Sequence, residues 1–298
     1  MKDILNEDIK AKLEAIKITS IKLISDYLGG QLRSTFKGSG LEFNESREYV
    51  ASDDVRYIDW KITAKTGKTY VKTFIEEREK AVMILSDVSA SGSFAYGQKS
   101  KFDIIAEISA MLSFIAMRHS ERIGVAMFSD KMEDFMPPSH AKTHLMGFLH
   151  RLFSFDNTDK KTDIKGAIHY FLDVMKKRSV VFLVSDFLDS SYEDNIRELA
   201  RKHDLVAIRV FSPSEVELPK GALISLRDAE TGAEFLIDTS SKKVLEAYKA
   251  KTKAIREKFE TKMKHSGIDY LDIDISKDYK MDLVKFLKER QERYATSS

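Results

Sequence analysis

Apolar residues along the chain recur with two different periods, and the order of those periods predicts the fold. Ile4, Ile9, Leu13, Ile16, Ile18, Ile21, Leu23, Ile24 and Leu28 recur near helical spacing, with Gly29-Gly30 as a stop. Residues 31–80 lose that rhythm: Gly38-Ser-Gly40 and the polar run 44–54 read as loop, and 68–74 alternates as a strand does. From Ala81 onward, short continuous apolar runs alternate with longer amphipathic ones. The pattern predicts strands at 81–87, 122–128, 179–186 and 205–211, with helices near 98–118, 141–154, 163–176 and 191–202. Strand and helix in alternation mean a doubly wound α/β fold, Rossmann-like, with a mostly parallel sheet between two helical layers. Residues 223–228 and 234–238, on either side of Glu230-Thr-Gly232, read as a β-hairpin insertion. A charged helix near 241–265, a short strand at 268–274 and a helix near 279–293 complete the chain. The organisation expected is an N-terminal helix/strand elaboration over 1–79 on an α/β domain over 80–298.

Two of the apolar runs end in Ser-Asp. The first closes on Ser86-Asp87 and continues into Ser89 and Ser91; the second closes on Ser185-Asp186. Such runs are rich in β-branched residues, as strands buried on both faces are. Ligands of open parallel sheets sit beyond the carboxyl ends of the strands, where the strand order reverses. With 81–87 as the first strand of an order 3-2-1-4-5-6, the 179–186 strand is the fourth if a short edge strand lies near 131–136. Asp87 and Asp186 then flank one crevice. Thr162, expected as a helix N-cap, offers a further hydroxyl there. Hard divalent cations take oxygen ligands, so Asp87, Ser89, Ser91, Thr162 and Asp186 form a candidate ligand set. Taken singly, each also has an ordinary role in turns or helix caps.

Composition narrows the remaining classes. Lys+Arg 49 nearly balances Asp+Glu 47, and a net charge of +2 creates no general field for nucleic acid or a membrane surface. The chain has no cysteine, which excludes disulfides and thiolate metal sites and fits a reducing compartment. Residues 1–29 lack a signal-peptide apolar core, and no run approaches the roughly 18 apolar residues of a spanning helix, so a cytoplasmic location is expected. There is no phosphate-binding G-x-x-x-x-G-K-[ST] loop and no G-x-S-x-G nucleophile elbow. His140 and His144 have the i, i+4 spacing of a zinc pair but lack the adjoining glutamate, and the lysines of 242–264 are interrupted by glutamates as on a solvated helix face.

The stretch before the first Ser-Asp strand is dense in acids, arginines and aromatics: Arg47 and Tyr49, then Asp53, Asp54, Arg56, Asp59 and Trp60. One reading is an ion-pair network fixing the N-terminal layer against the sheet, with Trp60 as a buried anchor. A second is a partner-binding face, because Arg and Trp dominate interface hot spots. A third is a second metal site of paired carboxylates, which the neighbouring arginines oppose. The ion-pair network is the expectation carried forward.

The succession Asp87-x-Ser89-x-Ser91, a threonine at a helix start (Thr162) and an aspartate ending a later strand (Asp186) resembles the von Willebrand factor A domain and its metal-ion-dependent adhesion site. The resemblance implies that Ser89, Ser91 and Thr162 coordinate Mg²⁺ (or Mn²⁺ or Ca²⁺), with Asp87 and Asp186 acting directly or through water. A carboxylate from a protein partner would fill the open position. Lys160 and Lys161 stand where that family usually has glycines, available to repel a cation or to pair with a neighbouring acid. Gly38-x-Gly40-x-Glu-Phe43, Arg47-x-Tyr49, Asp53-Asp54-x-Arg56-x-Ile58-Asp59-Trp60, Arg122-x-Gly124, Pro137-Pro138 and Ser185-Asp186-Phe187 resemble in turn the bacterial family called domain of unknown function fifty-eight. Ser52 replaces the glycine usual before its paired aspartates. That resemblance implies an accessory role beside an AAA+ ATPase of the MoxR type. The function expected is a metal-ion-dependent protein–protein docking module rather than an enzyme. Its rivals are a metal-dependent phosphohydrolase using the ion and Asp87, and a scaffold with an empty site.

Overall fold

The computed structural model describes residues 2–28, 41–51, 53–76, 81–93, 95–96, 99–119, 121–158, 160–189, 191–218, 220–221, 223–227 and 234–296. Helix α1 (Lys2–Leu28) is followed by strand β1 (Leu41–Glu48), the short helix α2 (Trp60–Thr66) and strand β2 (Tyr70–Glu76). The alternating region then runs β3 (Ala81–Asp87), the two-residue strands β4 (Ala95–Tyr96) and β5 (Lys99–Ser100), α3 (Lys101–Arg118), β6 (Arg122–Phe128) and β7 (Met132–Ser139). It continues through α4 (Lys142–Phe153), α5 (Ile164–Val174), β8 (Ser179–Ser185), α6 (Glu193–Lys202) and β9 (Asp204–Phe211). The hairpin β10 (Leu223–Arg227) and β11 (Glu234–Asp238) precedes α7 (Lys242–His265), β12 (Asp269–Asp274) and α8 (Lys280–Thr296).

The central sheet has six strands in the order β12-β9-β8-β3-β6-β7, parallel except for β7, which runs antiparallel to β6. Counted within the sheet this is the order 3-2-1-4-5-6 on which the Ser-Asp argument depended, with β7 as its edge strand. Pro137 and Pro138 fit an edge, where a missing backbone N–H leaves no ladder bond unmade. Every residue of β3 and β8 is buried, because helices cover both faces. Side chains alternate between two cores. Val82 and Ile84 of β3 join α1, α3, α4 and α8 through Leu13, Ile108, Phe148 and Leu287. Met83 and Leu85 join α5, α6 and α7 through Phe171, Leu199 and Met263.

Residues 44–48, expected as loop, belong instead to β1, which pairs antiparallel with β2 around a bulge between Phe43 and Glu45. Arg47 and Glu48 are exposed, so this strand never needed the apolar alternation that marks a strand in sequence. The strand expected at 68–74 is β2, and the expected hairpin pairs Leu223 with Asp238. The signals read at Gly29-Gly30, Gly38-Ser-Gly40, Ser52 and Gly232 lie outside the described residues.

Gly124 of β6 is a close-approach position: a Cβ there would meet Met83 Sδ at 2.2 Å and the Met136 carbonyl at 2.8 Å. Gly124→Ala is expected to cost about 1–3 kcal/mol by overpacking, measured by urea unfolding. His203, between α6 and β9, is 1% exposed, and its Nδ1 accepts from the Ser179 backbone N–H at 3.3 Å, leaving the ring proton on Nε2. Burial holds this imidazole down to about 4. The unfolded chain, with an ordinary value near 6.5, therefore takes up the proton first, and His203 withdraws stability as pH falls from about 6.5 toward 4. The loss approaches about 1.4 kcal/mol per pH unit. His203→Asn should flatten that part of the stability profile between pH 7 and 5, read from unfolding midpoints of the two proteins.

Candidate functional site

Parallel pairing of β3 with β8 sets Ser86 opposite Val184, so the two strands deliver Asp87 and Ser185-Asp186 to the same edge. Asp87 is 2% exposed. Its Oδ2 accepts from Ser185 Oγ at 2.6 Å and its Oδ1 from the Ser89 backbone N–H at 3.0 Å. Ser89 Oγ and Ser91 Oγ share a hydrogen bond of 3.0 Å, and both residues are buried. Ser86, the other strand-end serine, points away and bonds Ser109 of α3 at 2.7 Å.

The segment before α5 is laced to this loop. The Ala90 N–H donates to the Lys160 carbonyl at 2.7 Å, and Asn157 Nδ2 donates to the Ser89 carbonyl at 3.2 Å. Thr162 does not cap α5 as expected. Asp163 is the N-cap, and its carboxylate accepts from the Gly166 N–H at 2.8 Å. Aspartate caps at least as well as threonine, and Gly166 leaves room for it, since a Cβ there would lie 2.5 Å from Asp163 Oδ2. The Thr162 hydroxyl is thereby released from capping, and its oxygen is buried without a hydrogen-bond partner among the described residues. Lys160 pairs with Glu133 at 3.1 Å, and Lys161 is exposed.

Asp186 follows β8 and is held from three directions. Its Oδ1 accepts from the Leu188 N–H at 3.2 Å, and its Oδ2 accepts from Lys101 Nζ at 2.7 Å. The third constraint is backbone: Phe187 has φ 55°, a left-handed conformation that a bulky residue adopts at a cost. Ring contacts of Phe187 with Tyr192 at 5.7 Å and Phe259 at 5.0 Å, and its N–H donation to Ser185 Oγ at 3.0 Å, lock that conformation. Strained residues of this kind cluster at functional sites.

Burial, and then the nearby negative charge of Asp186, push the Asp87 carboxyl up to about 6. Lys101, the first residue of α3, is 1% exposed and also donates to Glu215 Oε1 at 2.5 Å. Burial alone would lower its pKa, but Asp186 and Glu215 outweigh that and hold the ammonium above its usual range. Lys101, Glu215 and Asn157 escaped the sequence reading, whereas Ser185 was read as a strand-end hydroxyl. A lysine after a helix-capping serine reads as a solvated first-turn residue, and its carboxylate partners are 85 and 114 positions away. Among the described residues no three His, Asp or Glu side chains gather as a metal-ligand set. The Asp87 cluster instead combines two carboxylates with hydroxyls.

The N-terminal signature lies apart, on the β1–β2 ribbon. Arg47 forms two hydrogen bonds to Asp53, at 2.8 and 2.6 Å, and Arg56 pairs with Asp54 at 2.6 Å. These bonds hold both carboxyls below their ordinary range. Asp59 is not an arginine partner: it caps α2 through the Lys61 and Ile62 N–H groups and accepts from Ser46 Oγ at 2.9 Å. The Tyr49 N–H donates to the Thr69 carbonyl at 2.9 Å. Trp60, expected as a buried anchor, is 71% exposed, and Val50, Val55 and Tyr57 are exposed with it. The ribbon ladder and the Asp59 cap already fix this element, so nothing requires the indole inside. Trp60→Ala is therefore expected to change unfolding free energy by less than about 0.5 kcal/mol, where a buried tryptophan would cost about 3–5 kcal/mol. Urea unfolding separates the two.

Comparison with known proteins gives a family but no activity. The sequence model of the family described as "Protein of unknown function DUF58" matches residues 45–258. The uncharacterized protein Rv1480 of Mycobacterium tuberculosis is 26% identical over 296 residues, covering 97% of this chain and 92% of its own. The uncharacterized protein Mb1516 of Mycobacterium bovis is similar to the same extent, 26% over 296 residues. Among solved structures, the conserved hypothetical protein BatB of Bacteroides thetaiotaomicron covers 73% of this chain and 99% of its own at 13% identity, with a TM-score of 0.46. No helix among the described residues is long and apolar enough to cross a membrane.

Proposed function

Since the chain belongs to the protein family of unknown function DUF58, we propose from its buried cluster that it is a metal-ion-dependent docking module with a von Willebrand factor A-like site. The observation that carries this reading is the Thr162 hydroxyl oxygen, buried and without a partner, on a segment hydrogen-bonded to the Asp87–Ser91 loop. An unmet buried hydroxyl is costly unless something satisfies it, and a hard cation beside two carboxylates does so. In this reading Ser89, Ser91 and Thr162 hold Mg²⁺ (or Mn²⁺ or Ca²⁺), while Asp87 and Asp186 balance its charge directly or through water. The bound ion supplies an electrophilic point that an acidic side chain of a partner protein completes. The partner suggested by the family resemblance is a MoxR-type AAA+ ATPase, and the exposed Trp60, Tyr57 and Val55 offer it a second contact. The reading keeps the cytoplasmic placement expected from a sequence without a signal-like or spanning apolar run.

One observation favours a different reading. Lys101 already puts a positive charge on Asp186, which suits a scaffold whose site never takes an ion. No comparable observation supports a phosphohydrolase: Lys160 is paired with Glu133 rather than free to clamp a phosphate.

Titration calorimetry and thermal unfolding with MgCl₂ and MnCl₂ decide between docking and scaffold. In the docking reading the wild-type protein binds one ion, and an ion at about 100 times its Kd adds about 2.7 kcal/mol of stability. The double variant Ser89→Ala/Ser91→Ala should lose at least about tenfold in affinity, as removal of two neutral ligands predicts. No heat and no shift in Tm with either ion would leave the scaffold standing.

A further inference from the structure

Lys101 occupies an unusual position. Its ammonium is buried at the N-terminus of α3, where the helix dipole disfavours a cation. What holds it are two carboxylates on separate connections: Asp186 after β8 at 2.7 Å, and Glu215 after β9 at 2.5 Å. Glu215 is preset for the task, because its Oε2 accepts from the Ser212 N–H at 3.0 Å. Asp186 likewise has both oxygens engaged, by Leu188 N–H and by Lys101, so an arriving cation must compete for it. With every acid ionised, Asp87, Asp186 and Glu215 against the single ammonium of Lys101 leave two negative charges to be matched, the charge of one divalent ion.

We infer that Lys101 is the resident cation of this site and regulates its occupancy: in the ion-free state its ammonium holds Asp186, and a divalent ion displaces it onto Glu215. The inference rests on the metal-docking reading and adds the device that sets its affinity. By this mechanism the resting site binds an ion weakly and fills when a partner carboxylate adds its own attraction. Occupancy is reported at α3 and at the turn Pro213–Glu215, the two elements that the lysine bridges.

The test is divalent-ion affinity at constant ionic strength, by calorimetry with MgCl₂ and MnCl₂, for wild type, Lys101→Met and Glu215→Gln. Removing the ammonium should tighten binding about tenfold or more, and removing the Glu215 charge should weaken it by a similar factor, because a unit charge a few ångströms from a divalent ion acts strongly in a buried site. Lys101→Met leaves two carboxylates unpaired and is expected to be less stable. Thermal unfolding then serves as a second readout, in which MgCl₂ restores the Tm of Lys101→Met more than NaCl of equal ionic strength does. Equal affinity in wild type and both variants, or no selective rescue of Lys101→Met, overturns the role of Lys101 while leaving metal docking intact. Absence of binding in wild type and Lys101→Met alike removes both.

Discussion

Parallel pairing of β3 with β8 places two aspartates at one buried edge, and the rest of the site is an answer to that. A carboxylate loses most of its hydration when buried, and a second one beside it adds repulsion. The chain responds with four donors: Ser185 Oγ and the Ser89 N–H for Asp87, the Leu188 N–H and the Lys101 ammonium for Asp186. Even so, the Asp87 carboxyl remains well above its ordinary value, a sign that the local donors do not fully offset burial and Asp186. A fold optimised only for stability would place an apolar residue there. The two buried carboxylates side by side are the physical ground on which a function is proposed for this edge.

Rigidity around the pair comes from both cores. Phe187 keeps its left-handed backbone because its ring is enclosed by Tyr192 and Phe259, the second of which belongs to α7, more than seventy residues later. The opposite core fixes α3, and with it Lys101, through Ile104, Ile108 and Leu112 and through the packed face of α1. The carboxylates are thus held from one side of the sheet and their ammonium from the other. Small movements of α3 relative to the strand ends would alter the Lys101–Asp186 pair directly.

What could be read from the sequence follows from what each feature requires. Strands buried on both faces must be apolar throughout, so β3, β8 and their order were legible, as were the residues at their ends. Strand β1 was not, because its exposed residues carry no apolar alternation to detect, whereas its partner β2 was. Trp60 misled for a related reason: tryptophan is usually buried, yet this one opens a short helix with no buried residue at all. Thr162 and Asp163 are both good caps, and the space at Gly166 that admits the Asp163 carboxylate is a property of the folded helix end. Lys101 lay furthest from reach. A lysine becomes a core residue only when acids distant in sequence converge on it, and that convergence is a property of the folded chain.

The ammonium also bears on how such a protein folds at all. Where metal ligands are the only compensation for one another, the ion-free chain stays unfolded and binding energy becomes folding energy. Here Lys101 neutralises Asp186 before any ion is present, so the sheet edge can close around its carboxylates on its own. In the docking proposal, the same charge that permits ion-free folding opposes the ion. On that proposal a low intrinsic affinity is the physical counterpart of an ion-free fold, and it is the property a docking site needs if the ion and its protein partner are to arrive as one event.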